Sequence, residues 1–200
     1  MITLFHHPNM GSQRFIFLME EFGVPYEIRR VSVRKLDGSG GPDRENPHPH
    51  GKVPAILHNG QMVFESAGVA LYLTDAFPEK LIGPLAGDPM RGAYVSWLAY
   101  YCGVVEPSWV CKVRGVDVPR TMAGWPDSDE VMAALAAQLG DKPYLLGDRL
   151  TALDILLAPR LDLFLKWNMP LVPKTQQFEA YAARVLDRPS YRKALELDAG

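Results

Sequence analysis

Polar side chains occur at two points where a predicted strand gives way to a predicted helix. Asn9 and Ser12 follow a short apolar strand and precede the first amphipathic stretch, whereas Glu65 and Ser66 end a later strand and begin another helix. Free backbone N–H groups and the helix dipole at such a junction favour a negatively charged group. Both junctions therefore predict anion binding, although Asn and Ser also commonly cap helices without binding anything.

Neither junction contains the residues that redox or metal chemistry needs. A thioredoxin-type dithiol site requires Cys-x-x-Cys at the strand–helix junction, and residues 8–12 contain no cysteine. His6 and His7 lack carboxylate or cysteine partners at metal-ligand spacing, so we interpret them as packing or loop residues and expect no metal and no bound cofactor. Cys102 and Cys111 lie elsewhere in the chain and are expected to be inert buried thiols.

The composition is that of a globular protein and excludes several classes of function. The 200 residues are 48% hydrophobic and 22% charged, and 21 basic against 23 acidic residues give a formal net charge of -2. Such a balance offers no electrostatic attraction to nucleic acid or to an anionic membrane. No apolar run approaches the ~20 residues of a membrane span, and the first residues lack the features of a signal peptide. With only two cysteines as well, the sequence predicts a cytoplasmic protein.

Two kinds of hydrophobic periodicity divide the chain near residue 80. Before that point, short β-branched or alternating runs are interleaved with helical patterns. Asn59-Gly60 marks a hairpin, because both residues tolerate the positive φ of a tight turn. A βαβ unit followed by a ββα unit gives a mixed four-stranded sheet with helices packed on it. The predicted elements are strands over 2–5, 26–33, 52–57 and 61–65, helices over 12–22 and 65–77, and a loop over 34–51.

Beyond a Gly- and Pro-containing connector at 81–89, only helical patterns occur. The stretch 151–167 is apolar on nearly all sides, which predicts a central buried helix. Thr151 and Asp154 have the spacing of a capping box, in which each side chain satisfies a free backbone donor of the other residue. Because a buried helix end cannot use water for this purpose, we expect Asp154 to serve folding rather than catalysis. Further helices are predicted over 91–110, 129–140, 178–188 and 189–197.

Taken together, these segments resemble a cytosolic glutathione S-transferase of the bacterial type over nearly the whole chain. The resemblance is carried in the first half by LFHHPNMGSQRFIFLMEEFGVPYE and HPHGKVPAILHNGQMVFESAGVALYL, and in the second by YLLGDRLTALDILLAP and DRPSYRKALE. It implies a thioredoxin-like, glutathione-binding domain over residues 1–80 and an all-helical domain over residues 88–200. It further implies a homodimer, with glutathione as co-substrate and an electrophile bound in the cleft between the two domains.

The resemblance assigns the sulfur of glutathione to the turn after the first strand. Related transferases hold the sulfur with a Ser, Thr, Cys or Tyr near this turn, and ungapped registry places Asn9 at the position that often carries Ser, Thr or Cys. An amide can donate a hydrogen bond to a thiolate but cannot itself become a nucleophile. Ser12 and the backbone N–H groups near Gly11 are the alternatives to Asn9. A thiol pKa of ~8.5 must fall by about two units, or ~2.7 kcal/mol, which one charge-assisted hydrogen bond at a helix N-terminus supplies.

The segment around Val53-Pro54 matches a second part of the family's glutathione site. In this family the corresponding proline is cis, and the preceding residue pairs with the cysteinyl unit of glutathione like an added strand. Proline lacks an N–H and so leaves a local edge open, which also allows the simpler interpretation of an ordinary edge-strand proline. Lys52 and His50 are candidates for the glycine carboxylate, and Lys52 is preferred because it is charged at neutral pH.

Glu65 and Ser66 match the third part of that site, which holds the γ-glutamyl end of glutathione. Ser66 and its backbone N–H suit the carboxylate of this group, and the acid of Glu65 suits its ammonium. In the second half, Tyr101 and Trp109 lie on or just after the long predicted helix and are candidates for the electrophile pocket. Aromatic residues at such spacing also commonly form a core or an interface.

The predicted function is glutathione transfer, in which the thiolate attacks a small apolar electrophile by aromatic substitution or conjugate addition. The alternative is a non-catalytic protein of the same fold that serves as a binding or interaction module. Asn9 in place of the usual hydroxyl or thiol favours that alternative.

Overall fold

The computed structural model describes residues 1–35 and 37–199, and in that part the chain forms four β-strands and eight α-helices. Residue 36 lies outside this description and belongs to the predicted loop over 34–51 and the predicted domain over 1–80. Residue 200 also lies outside it and belongs to the predicted domain over 88–200. The strands are β1 (Ile2–His6), β2 (Tyr26–Arg30), β3 (Ala55–His58) and β4 (Gln61–Phe64). The helices are α1 (Gln13–Phe22), α2 (Ser66–Ala76), α3 (Arg91–Tyr100), α4 (Glu106–Arg114), α5 (Ser128–Leu139), α6 (Ala152–Lys166), α7 (Gln176–Leu186) and α8 (Pro189–Ala199).

These elements belong to two compact units. The first contains Met1–Lys80 together with the residues from Arg188 onward, and the second contains Leu81–Asp187. No sequence pattern indicated that α8 returns to the first unit. None of the helices in the described residues is long and apolar enough to cross a membrane.

The four strands form one mixed sheet in the order β2-β1-β3-β4. β1 pairs in parallel with β2 and antiparallel with β3, and β3 pairs antiparallel with β4, as predicted from the sequence. Asn59 and Gly60 form the hairpin turn with φ values of 51° and 77°, the left-handed region that Asn and Gly tolerate. β2 ends at Arg30 and not at residue 33 as predicted, because its one partner, β1, ends at His6 opposite Arg30.

The core of the first unit includes the apolar residues of β1 and an almost fully buried α1. Helix α8 packs against α1, where the rings of Phe17 and Tyr191 lie 5.2 Å apart. Glu21 on α1 accepts hydrogen bonds from the Arg188 guanidinium and from the Ser190 hydroxyl. These contacts attach the start of α8 to α1.

The second unit is all-helical, as predicted. The predicted helix over 91–110 is interrupted by a π-helical turn at Tyr101–Val105, and α4 continues beyond it to Arg114. The cause is Pro107, whose ring in a regular α-helix would clash with the carbonyl four residues before it. Helix α6 is the central buried helix, since residues 152–159 are all buried. The capping box between Thr151 and Asp154 is confirmed at its start.

Candidate active site

The sheet register brings the three predicted segments to the same end of the sheet. Phe5 near the end of β1 pairs with Ala55 at the start of β3, and Ala55 pairs with Phe64 at the end of β4. Neighbouring strand ends therefore lead directly into the turn after β1, the segment before β3 and the junction after β4. Strands are spaced by about 4.8 Å, so this row of three strands spans about 10 Å.

Asn9 is the exposed polar residue of the turn after β1. Its φ is 59°, in the left-handed region that Asn enters more readily than most residues. Its backbone N–H donates to the carboxylate of Asp198, with distances of 3.2 Å to Oδ1 and 3.3 Å to Oδ2. Its side-chain amide makes no hydrogen bond with the described residues. This amide is therefore an available donor, whereas the backbone N–H is already used.

Ser12, in contrast, is completely buried. Its Oγ lies 3.0 Å from Nδ1 of His6 and accepts from the backbone N–H of His7 at 3.2 Å. The hydroxyl does not cap α1, so the simple capping role considered for it is not what the side chain does. Its contacts tie the start of α1 to the end of β1.

His6 is a buried imidazole between Ser12 and Asp198. Its Nε2 lies 3.4 Å from Oδ1 of Asp198, in a geometry that does not form a hydrogen bond. Burial, together with the charges of Arg30 and His7, lowers the pKa of His6 to about 4. The ring is therefore neutral at physiological pH.

The Val53–Pro54 peptide bond is cis, as the resemblance implied. In the described residues, neither the backbone N–H nor the carbonyl of Val53 has a hydrogen-bond partner. An unpaired backbone of this kind can accept an added extended chain. The side chains of Lys52 and His50 are exposed beside it.

Glu65 and Ser66 form the junction between β4 and α2. Glu65 has φ 65° and ψ 139°, an uncommon conformation for a residue with a side chain, and its carboxylate is 71% exposed. Ser66 is the buried first residue of α2, and its hydroxyl makes no hydrogen bond with the described residues. The first N–H groups of α2 and this hydroxyl are thus available to an anion.

His48 is a residue of this region that the sequence reasoning missed. Its ring is buried, and Nδ1 accepts from the backbone N–H of His50 at 3.1 Å, so Nε2 carries a proton. Nε2 lies 3.4 Å from Oε1 of Glu65. The sequence signal was a histidine between two prolines in an otherwise polar loop, which is too weak to identify the contact.

Tyr101 and Trp109 lie in the second unit and are both buried. Their rings are 6.5 Å apart, and Trp109 also packs edge-on against Phe164 at 5.1 Å. These are the contacts of core residues, and the role of the two residues in an electrophile pocket stays a prediction.

Two family models match the chain. The model described as “Glutathione S-transferase, N-terminal domain” matches residues 12–76, and the one described as “Glutathione S-transferase, C-terminal domain” matches residues 123–189. Together they cover more than half of the chain and lie in the order that the resemblance implied.

Known proteins are similar to this chain over nearly its full length. It is 28% identical to “Glutathione S-transferase U21” of Arabidopsis thaliana, across 97% of this chain and 89% of that protein. It is 26% identical to “Probable glutathione S-transferase parC” of Nicotiana tabacum, across 97% and 88%.

Solved structures share the fold. BphK, described as a bacterial GST, superposes with a TM-score of 0.75 at 25% identity, across 99% of this chain and 100% of BphK. A sphingomonad glutathione S-transferase complexed with glutathione gives a TM-score of 0.77 at 24% identity, across 98% of each chain. The predicted thioredoxin-like first half and helical second half are thereby confirmed.

Proposed function

The chain belongs to the glutathione S-transferase family, and we propose that it transfers the sulfur of glutathione to a small apolar electrophile after activating the thiol at the turn that follows β1. The observation that carries this proposal is the strand row of Phe5, Ala55 and Phe64, because it continues into all three predicted glutathione-binding segments. Glutathione is a co-substrate in this reaction, and the proposal requires no metal and no other cofactor.

In this proposal glutathione binds along the row of strand ends at Phe5, Ala55 and Phe64. An extended tripeptide is about 10 Å long, which equals the span of three neighbouring strands. The cysteinyl unit pairs with the free backbone of Val53, and the glycine carboxylate meets Lys52, with His50 as the alternative. This arrangement needs no change in the sheet, since the described residues leave the Val53 backbone unpaired.

The γ-glutamyl end binds at the start of α2. Its carboxylate takes hydrogen bonds from the Ser66 hydroxyl and the first N–H groups of the helix, where the helix dipole also favours a negative charge. Its ammonium pairs with the exposed carboxylate of Glu65. The ring of His48 lies on the other side of that carboxylate, with Nε2 3.4 Å from Oε1.

The side-chain amide of Asn9 activates the thiol. The alternative, Ser12, is buried and its hydroxyl is already bonded to His6 and His7. A hydrogen bond from a neutral donor to the thiolate contributes roughly 1.5–3 kcal/mol, which lowers the thiol pKa by about one to two units. The N–H groups near Gly11 and the dipole of α1 add to this effect.

In the transfer step, the thiolate attacks an electrophilic carbon to form a C–S bond. In aromatic substitution the leaving group departs with the electron pair, and the thiol proton goes to solvent. Tyr101 and Trp109 remain candidates for contact with the electrophile on the resemblance alone.

We further propose, on the same basis, that the protein is a cytoplasmic homodimer of the bacterial type with a role in detoxification. BphK supports the bacterial type, whereas the relatives from Arabidopsis and Nicotiana are plant proteins.

A second candidate function is a glutathione-binding or interaction module without turnover. The observation that favours it is the absence of an exposed hydroxyl or thiol side chain at residues 7–12, where Ser12 is buried. Retention on immobilised glutathione without conjugation of a chloronitrobenzene would favour this module.

The test compares Asn9→Ala with Ser12→Ala. For wild type we expect conjugation and a lowered thiol pKa of bound glutathione, read from the ultraviolet absorbance of the thiolate. Asn9→Ala should raise that thiol pKa by about one to two units and should lower the unfolding midpoint slightly, because alanine enters the left-handed region less readily than Asn. Ser12→Ala should lower the unfolding midpoint further, because it leaves buried partners unsatisfied. A larger effect of Ser12→Ala on the thiol pKa would reverse the assignment, and no retention of wild type on glutathione would overturn the proposed function.

A further inference from the structure

The carboxylate of Asp198 reaches the turn after β1 from helix α8. Both of its oxygens lie at hydrogen-bond distance from the backbone N–H of Asn9, at 3.2 and 3.3 Å, across a sequence separation of 189 residues. Asp198 is only 4% exposed. A carboxylate buried to this extent is costly unless donors surround it.

The other groups that face Asp198 come from three elements. On α1, the Gln13 amide donates to Oδ2 at 3.4 Å, and at the end of β1 the imidazole of His6 lies 3.4 Å from Oδ1. On β2, the guanidinium of Arg30 donates to the carbonyl of Leu197, beside Asp198, at 2.9 Å. Burial is the largest effect and raises the pKa of Asp198 above its usual value, although the Asn9 N–H and the charges of Arg30 and His7 act in the opposite direction.

Asp198 is not the sole attachment of α8 to the first unit. The start of α8 is held by Arg188 and Ser190 on Glu21, and by the tilted packing of the Tyr191 ring against Phe17. A buried carboxylate is in general a weak source of stability compared with apolar packing. Its position against the turn therefore needs an explanation other than helix docking.

The explanation lies in the geometry of Asn9. With φ at 59°, this residue is in a conformation that costs free energy, so the turn requires outside contacts to keep it there. A hydrogen bond to the Asn9 N–H fixes the plane of the preceding peptide and, with it, the direction in which the side chain leaves the backbone. It also occupies the N–H that would otherwise compete with the side-chain amide for the sulfur.

We propose that Asp198 is a positioning residue for thiol activation, in which its carboxylate holds the backbone of Asn9 so that the side-chain amide faces the glutathione sulfur. This proposal rests on the proposed function of the turn. Asp198 acts through Asn9 and does not touch glutathione. A misplaced donor at a reacting centre costs as much as about a hundredfold in rate, so we expect the loss of this contact to lower kcat/KM by about ten- to a hundredfold.

The test is a double-mutant cycle between Asp198 and Asn9. The variants are Asp198→Ala, Asp198→Asn and Asn9→Ala, singly and in combination. The matched control is Glu196→Gln, which alters an exposed carboxylate on the same helix that pairs with Lys193. The readouts are the thiol pKa of bound glutathione, kcat/KM, the denaturation midpoint and the hydrogen-exchange rate of the Asn9 amide, the last of which needs no glutathione.

We expect Asp198→Ala to accelerate exchange of the Asn9 amide and to raise the thiol pKa by about one unit, which is about tenfold in thiolate at neutral pH. Asp198→Asn keeps one acceptor oxygen and should restore part of both effects, while Glu196→Gln should change neither. In the Asn9→Ala background, a substitution at Asp198 should leave the thiol pKa unchanged. If Asp198→Ala does not fold, Asp198→Asn carries the same comparison.

Two outcomes overturn the proposal, and they are distinguishable. If wild type lowers the thiol pKa but the Asp198 variants alter only the denaturation midpoint, or act additively with Asn9→Ala, then Asp198 is a structural residue and the proposed function stands. If wild type does not bind glutathione or does not lower its thiol pKa, the proposed function fails and the positioning role fails with it.

Discussion

Replacing Asp154 by alanine should destabilise the second unit strongly without affecting catalysis in the folded protein. Asp154 is completely buried near the start of α6, and its carboxylate accepts four hydrogen bonds. Two come from the backbone N–H groups of Leu145 and Thr151, at 2.9 and 2.8 Å, and two from the hydroxyls of Thr151 and Tyr181, at 2.9 and 2.8 Å. One carboxylate therefore joins the helix start to the loop before it and to α7.

The magnitude follows from the donors that the substitution leaves without an acceptor. The two hydroxyls can rotate toward other acceptors, but the two backbone N–H groups are fixed, and each buried unsatisfied donor costs about 1–3 kcal/mol. The expected loss is therefore about 3–5 kcal/mol, the range found when one member of a buried charged network is removed. In a chain of this size, 1 kcal/mol corresponds to about 2–4 °C, so the unfolding midpoint should fall by about 6–20 °C.

The measurement is urea denaturation and thermal unfolding of Asp154→Ala beside Asp162→Ala. Asp162 lies on the same helix and forms an i,i+4 pair with Lys166 at 2.7 Å, and a surface pair of this kind contributes about 0.3–0.5 kcal/mol. Tyr181→Phe, which removes one of the four donors, should give an intermediate loss. Equal losses of unfolding free energy for Asp154→Ala and Asp162→Ala would refute the argument that the buried carboxylate of Asp154 stabilises the second unit. So would an Asp154→Ala protein of normal stability that has lost its activity.

Two further predictions concern histidines of the first unit. The unfolded chain protonates His6 below pH 6.5 while the folded chain does so only near pH 4, so stability should fall on acidification through that window. His6→Gln should remove about 3 kcal/mol of that pH dependence, measured by urea denaturation across this pH range, and an unchanged slope would contradict the burial argument. His48→Ala should raise KM for glutathione severalfold with an unchanged thiol pKa, because it releases the carboxylate of Glu65 and not the turn after β1. In a Glu65→Gln background the same change should add little to KM, and full additivity would refute the contact between the two side chains.

Local sequence signals determined several features of the fold. The Asn59-Gly60 turn, the four strands and the capping box of Thr151 and Asp154 follow from conformational preference and hydrophobic periodicity, which act over a few residues. The same signals failed to predict features that depend on a neighbouring strand or on the detailed helix geometry. The end of β2 was predicted too late because it depends on where β1 ends, and the π-helical turn before Pro107 was missed because periodicity does not register a single added residue.

The same distinction applies to the proposed glutathione site. Residue type alone indicated Asn9, Ser12 and the Glu65-Ser66 junction as polar groups next to strands, whereas Val53-Pro54 was identified through the resemblance to the family. Only the tertiary structure decided which of the donors after β1 is available. Packing buries Ser12 against His6 and brings Asp198 onto the Asn9 backbone from 189 residues away, and no pattern of neighbouring residues encodes a contact across that distance.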